Sequence, residues 1–250
     1  MPILTDDVVL LEDVTKSFDT AGAPVLALDR LTVGLRRGEF TAVMGPSGSG
    51  KSTLMNVAAG LDEPTSGRVY LAGRPITGLS DDQLTALRRT SIGFVFQAFN
   101  LVPTLTAIEN VLLPFQLAGR RLNSEDRAWI DHLVTALGLG ARIDHRPAAL
   151  SGGQQQRVAI VRALASRPQV VFADEPTGNL DSRTSREVLA LLRTAVAEYG
   201  QSVVMVTHDP VAASYADRVV LVVDGRLAGD HGRCSAQEIS TLLVDLEARA

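Results

Sequence analysis

The residues best suited to chemistry lie in one loop, Gly45-Pro46-Ser47-Gly48-Ser49-Gly50-Lys51-Ser52-Thr53. Residues 45–52 match G-x-x-x-x-G-K-[ST] between an apolar run and a helical pattern, the setting this motif requires. The glycines let the backbone wrap closely, pointing several N–H groups at one phosphate. A helix beginning near Gly50 adds the positive end of its dipole. Lys51 is then placed to reach the β- and γ-phosphates of a nucleotide, and the Ser52 hydroxyl to ligate Mg²⁺. A second cluster, Asp174-Glu175, ends the apolar run Val170-Val-Phe-Ala, where α/β sheets build their sites. Alone, two acids after a strand are a solvated strand end. With a phosphate loop upstream, Asp174 is suited to hold Mg²⁺ and Glu175 to orient or deprotonate a water.

A third cluster, Leu150-Ser151-Gly152-Gly153-Gln154-Gln155-Gln156-Arg157, opens a helix that continues through Val158, Val161 and Leu164. Ser151 is a good N-cap, and the two glycines leave the helix N-terminus uncovered. This can be a flexible helix entry or a second anion site. The chain thus offers two helix N-termini fit for phosphate but one lysine-bearing loop. One economical arrangement is a head-to-tail dimer in which each chain closes the other's nucleotide.

These clusters need elements to position them. Short apolar, β-branched runs at 8–11, 40–44, 92–96, 170–173, 202–206 and 219–223 read as buried strands. Helical patterns cover 52–61, 82–89 and 125–139, the last with Trp129, Ile130, Leu133 and Leu137 on one face. Another covers 185–199 and stops at Gly200. Strands alternating with helices imply a mainly parallel sheet covered on both faces. The stretch from about 98 to 165 has helical character and reads as an insertion between two core strands. The expectation is one domain over 1–250: a core at about 1–97 and 166–228, this insertion, and a helix-like extension over 229–250.

Composition agrees with a folded, soluble protein. Hydrophobic residues make up 46% and charged residues 21%, and the net charge of −4 argues against broad attraction to nucleic acid. A single cysteine, Cys234, excludes an internal disulfide and a thiolate metal cluster. The opening MPILTDDVVLL carries two aspartates where a secretory signal needs positive charge, and no 18 apolar residues run together. A cytoplasmic location follows as an expectation.

The order GPSGSGKS, Gln97, LSGGQQQR, ADEPTGNLD and His208 resembles the ABC ATPase domain along essentially the whole chain. The resemblance implies an α/β P-loop NTPase (RecA-like) core with an N-terminal antiparallel β-subdomain and an inserted α-helical subdomain. It implies ATP and Mg²⁺ bound between two copies, and hydrolysis driven by Lys51, Glu175 and His208. It also implies that Gln97 contacts Mg²⁺ beside Ser52 and Asp174, and senses a membrane partner. Ser151, Gly152, Gly153 and Gln154 would grip the nucleotide of the opposite protomer. Asp181 would lie across the dimer interface, although it also reads as a helix N-cap. Phe18 would stack on adenine, its other reading being a core aromatic at a strand end. His208 would contact the γ-phosphate.

The segment from Phe94 through Gln97-Ala98-Phe99-Asn100 to Val111 is similar to the branch of macrolide exporters and lipoprotein-release ATPases. That branch pairs its ATPase with a separate four-helix permease, so the resemblance places this chain on the inner face of the cell membrane. Residues 99–117, with Pro103 and Pro114, read either as the docking surface for that permease or as packing inside the insertion. The competing class is a division-associated ATPase of the same branch that regulates cell-wall hydrolysis. Gln154 and Ala98-Phe99-Asn100 lean away from it. Nucleic-acid ATPases of the family carry coiled coils, zinc cysteines or fused copies, which this sequence lacks.

Overall fold

A computed structural model describes residues 6–19 and 23–247. Residues 1–5, part of the N-terminal stretch read above, and 248–250 of the extension lie outside them. The chain opens with a long antiparallel pair, β1 (Asp7–Phe18) and β2 (Val25–Arg36). Strand β3 (Phe40–Met44) then leads through the phosphate loop into α1 (Lys51–Ala58). Next come β4 (Ser66–Leu71), β5 (Arg74–Pro75), α2 (Asp81–Ser91) and β6 (Ile92–Phe96). Strands β2-β1-β4-β5 form an antiparallel sheet, matching the expected N-terminal β-subdomain.

After β6 the described chain is helical until β7: α3 (Ala107–Leu117), α4 (Ser124–Ala136), two 3-10 turns, and α5 (Gly152–Ala165). Buried Asn110 holds the loop before α3. Its amide oxygen accepts from Val102 N–H, and its NH₂ donates to the carbonyls of Val102, Leu105 and Thr106. Helix α3 runs through Pro114.

The core resumes with β7 (Val170–Asp174), α6 (Ser182–Tyr199), β8 (Ser202–Val206), α7 (Pro210–Ala213), β9 (Arg218–Val223), β10 (Arg226–His231) and α8 (Ala236–Glu247). The second sheet has the order β10-β9-β3-β8-β7-β6, parallel except for β10. Helix α6 starts at Ser182, three residues before its apolar face suggested. Its first turn is polar and exposed, and Asp181 caps it through the N–H groups of Arg183 and Thr184. It ends at Gly200, which adopts φ 64°, a left-handed C-cap. Helix α1 stops at Ala58 rather than Leu61, since Gly60 turns the chain.

The parallel strands are apolar on consecutive residues because they have a core on each side. Phe40, Ala42 and Met44 of β3, Val171 and Ala173 of β7, and Val203 and Met205 of β8 face a core shared with α3–α8. Val43, Val170, Phe172, Val204 and Val206 face the other core, shared with α1 and the antiparallel sheet. Charged side chains join the two sheets: Arg226 of β10 donates to the Asp29 carboxylate on β2, and a second link is buried. Arg218, buried on β9, donates twice to the Asp230 carboxylate at 2.7 Å and once to the Gly34 carbonyl on β2. The bond from Arg218 holds the Asp230 carboxyl below the usual aspartate range.

Arg218→Met removes these donors and leaves Asp230 and the Gly34 carbonyl unpaired. Thermal unfolding at pH 7 should show a loss of about 1 kcal/mol, because the Asp230 carboxylate stays in contact with water. Because Asp230 has a depressed folded pKa, its share of the stability is present above its ordinary value of 3.8 and vanishes as pH falls through the folded one. The gap between wild type and variant should therefore narrow in acid.

Candidate active site

The parallel strands end side by side. Phe96 of β6 pairs in register with Asp174 of β7, and Asp174 with Val206 of β8; Val206 in turn pairs with Val43 of β3. The loops leaving β3, β7 and β8 therefore emerge together and enclose a cavity of about 530 Å³. Its walls include Gly45, Pro46, Ser47, Gly48, Lys51, Ser52, Asp174, Glu175 and His208.

Helix α1 reaches this cavity with no side chain capping its N-terminus; its N-cap is Gly50 at φ 97°. A Cβ on Gly50 would stand 2.2 Å from the Ala27 carbonyl, so both conformation and space demand glycine. Helices α2 through α7 each have a side-chain N-cap, so the N–H groups of α1 are the ones left for an anion. Ser49 is buried beneath the loop, while Thr53 sits half-buried on α1, outside the cavity wall. The Lys51 ammonium folds back on its loop, donating to the carbonyls of Gly45 at 2.9 Å and Pro46 at 2.6 Å. Burial lowers its pKa, opposed by the charges of Glu175 and Asp174.

The two acids differ sharply. Burial and the neighbouring Glu175 charge raise the Asp174 pKa, and Lys51 offsets this only in part. Asp174 has no side-chain hydrogen bond or ion pair among the described residues. Glu175 is held on both oxygens. Oε1 accepts from the His208 backbone N–H at 3.1 Å and lies 2.7 Å from His208 Nδ1; Oε2 accepts from the Thr207 hydroxyl at 3.2 Å. Glu175 adopts φ 44°, a strained value for a residue with a side chain and one that collects at functional sites. Thr207, wholly buried, escaped the sequence reading. A hydroxyl after a strand carries no pattern, and only its place beside His208 could have pointed to it. Leu243 of α8 is a second omission: the extension, for which the sequence suggested no role, brings this side chain to the cavity wall.

Oxygen ligands suit Mg²⁺. The exposed Ser52 hydroxyl and the under-compensated Asp174 carboxylate both face the cavity, so the donor set fits. Gln97 does not join them. Its amide donates to Asn179 Oδ1 at 3.1 Å, and Asn179 donates back to the Gln97 carbonyl at 3.0 Å, turning the side chain toward the loop after Glu175.

The remaining expected residues lie off the cavity wall. Ser151 caps α5 in a closed box: its hydroxyl accepts from Gln154 N–H, and Gln154 Oε1 accepts from Ser151 N–H at 2.9 Å. Gly152 lies against Leu180 and Phe99, and a Cβ on Gly153 would come 2.3 Å from the Thr184 methyl, so packing of α5 on α6 also calls for a small residue there. Asp181 is the N-cap of α6, its Oδ2 accepting from Thr184 Oγ1 at 2.7 Å. Phe18 is 39% exposed at the end of β1 with Lys16 Nζ 4.9 Å from its ring centre, which excludes the core-aromatic reading.

Residues 99–117 divide between the two readings. Ala107, Val111 and Phe115 are buried in the core, whereas Leu113, Pro114 and Leu117 line a groove of about 360 Å³ with Phe94, Phe96 and Arg162. No helix among the described residues is long and apolar enough to cross a membrane.

Known proteins resemble this chain in sequence and fold. The ABC transporter family profile matches residues 28–178. A macrolide export ATP-binding/permease protein of Marinobacter nauticus is 49% identical over 222 residues, 89% of this chain but 34% of that protein, so the chain spans about a third of such relatives. A lipoprotein-releasing system ATP-binding protein of Anaeromyxobacter dehalogenans is 51% identical over 85% of this chain and 89% of its own length. The dimeric post-hydrolysis structure of the ATP-binding cassette MJ0796 of Methanocaldococcus jannaschii, bound to ADP and Pi, superposes with a TM-score of 0.81 at 42% identity, covering 91% of this chain and 99% of that one. On the profile match and these relatives, the chain belongs to the ABC transporter family.

Proposed function

We propose that the chain is one ATPase domain that binds ATP with Mg²⁺, hydrolyses it as a homodimer, and drives a separate four-helix membrane permease from the membrane's inner face. The observation that carries this is the cavity in which Lys51, an uncapped α1 and Asp174 face a glutamate already oriented by His208 and Thr207. Lys51 leaves its loop carbonyls for the phosphates, and the α1 N–H groups complete the cradle. Bound Mg²⁺, held by Ser52 and Asp174, supplies charge neutralisation at the phosphate oxygens. Glu175 takes the proton of the attacking water, with His208 holding the carboxylate in place and meeting the charge that develops on the γ-phosphate. Gln97 would have to leave Asn179 to help hold Mg²⁺.

Head-to-tail pairing places Ser151, Gly152, Gly153 and Gln154 over the nucleotide of the opposite copy, with Asp181 at the same interface. The off-cavity position of α5 supports this, as does the dimeric state of the MJ0796 cassette. Phe18 offers its exposed ring to adenine. The groove of Leu113, Pro114 and Leu117 receives the permease, since an apolar concavity beside the Gln97 loop would carry its movement to the site. The names of the export and lipoprotein-release relatives support the pairing with a permease.

Three measurements test this. Glu175→Gln should retain ATP affinity, trap a nucleotide-bound dimer and lower kcat by on the order of 100-fold or more; wild-type turnover refutes the role of Glu175. Lys51→Ala should lose ATP binding in a titration, and unchanged affinity counts against the phosphate cradle. Leu117→Asp should leave ATP affinity unaltered while abolishing co-purification of the permease from solubilised membranes; undiminished recovery places the docking surface elsewhere.

A further inference from the structure

Gln156 is a polar side chain with no solvent exposure at all, on the second turn of α5. Its amide donates to the Pro176 carbonyl and, at 3.4 Å, to the Phe96 carbonyl. Phe96 directly precedes Gln97, and Pro176 directly follows Glu175. One amide therefore ties the helix capped by Ser151 to the ends of both β6 and β7. Helix α5 also grips the far side of Gln97: Arg162 donates to the carbonyls of Phe99 at 3.0 Å and Asn100 at 2.6 Å. Those two residues adopt φ 59° and 49°, so this loop is strained and clasped by α5 on both flanks. Among these contacts, only that of Gln156 reaches the glutamate segment.

The Oε1 atom of Gln156 is buried without a hydrogen-bond partner. A buried acceptor left unpaired costs stability, which an apolar side chain of the same length would not incur. An apolar side chain would avoid that cost but leave the Pro176 carbonyl unpaired, so the glutamine is held by the two bonds it donates. The pyrrolidine ring fixes the Pro176 φ, so a shift of its carbonyl is passed to the preceding residue, Glu175, whose backbone is already strained.

We propose that Gln156 is a positioning residue for hydrolysis: it couples the tilt of α5, and so the seating of the Ser151 end on the partner's nucleotide, to the placement of Glu175. The proposal rests on the reading of Glu175 as the water-activating group. It makes full activity depend on α5 being seated, beyond the local hold of His208 and Thr207.

The test uses the full chain with Gln156→Met and Gln156→Glu. The Met variant keeps the length and removes both donors. It should keep its KM for ATP within about twofold and lose some Tm through the unpaired Pro176 carbonyl, while kcat falls on the order of 10- to 100-fold, as for a misplaced catalytic group. A buried carboxyl regains one donor when protonated, so kcat of Gln156→Glu relative to wild type should rise as pH falls. Wild-type kcat in the Met variant overturns the proposal. So does a joint loss of Tm and kcat with a flat pH ratio in the Glu variant, which marks a purely structural role. If Gln156→Met does not fold, the pH ratio of Gln156→Glu decides alone: rising supports the proposal, flat rejects it. A Glu175→Gln chain that still turns over ATP refutes the underlying reading instead, whatever the Gln156 variants do.

Discussion

Everything at this site depends on parallel strands that cannot slip. Phe172 of β7 faces one core and its neighbours Val171 and Ala173 the other, and β3 and β8 alternate in the same way. A one-residue shift would send phenylalanine into the space of an alanine and reverse every side chain between two filled cores. Register is therefore set by packing on both faces, far from any ligand. The consequence appears at the strand ends, where Phe96, Asp174 and Val206 stand in one row. The residues that follow them, Gln97, Glu175 and Thr207-His208, inherit that alignment. The close approach of the Glu175 carboxylate to His208 is set here by hydrophobic burial.

On this rigid row the electrostatics are left unbalanced. Burial raises the Asp174 pKa and lowers that of Lys51, so each charged form is disfavoured by its surroundings. Opposite charges of this kind could pair with each other, but the Lys51 ammonium bonds loop carbonyls instead. Both groups thus stay available to outside partners of opposite sign, an anion for the lysine and a cation for the aspartate. Glu175 is the contrast: its oxygens are occupied by Thr207 and His208, which suits a group that must keep one orientation. The division of labour between the two acids is written in their hydrogen bonds, not in their order along the chain.

Legibility in the sequence followed the same physics. Strands β3, β6 and β8 were readable to their last residue because a strand buried on both faces is a continuous apolar run. Strand β2 was not, since its Arg30 and Thr32 interrupt any run and Arg30 sits at a bulge with φ 47°. Strand β10, Arg226–His231, owes its existence to pairing with β9 and has no fully buried residue of its own. Among the residues singled out in the sequence, Lys51, Asp174, Glu175 and His208 line one cavity, because motif spacing maps onto strand ends. The bonding of Gln97 to Asn179 was not legible, because the partner lies 82 residues away and neither amide has a pattern to betray it. Leu243 was hidden for a similar reason: only the docking of α8 through Ile239 brings it to the cavity.

The two helix N-termini that the sequence offers to phosphate are chemically different, and the difference bears on how a composite site can work. That of α1 has no side-chain cap, so an incoming phosphate meets free N–H groups. That of α5 is closed by Ser151 and Gln154, each accepting from the other's backbone. The cap uses a lone pair of the Ser151 oxygen and leaves its hydroxyl hydrogen free to donate. Ser151 can therefore cap its helix and bind a second chain's anion at once, while Gln154 must open the box before its side chain takes any other partner. Asp181 is more constrained still, as both of its oxygens already accept from the first turn of α6. In the proposed dimer, a protomer would meet its own nucleotide with the uncapped N–H groups of α1, and its partner's with groups that are first part of its own fold.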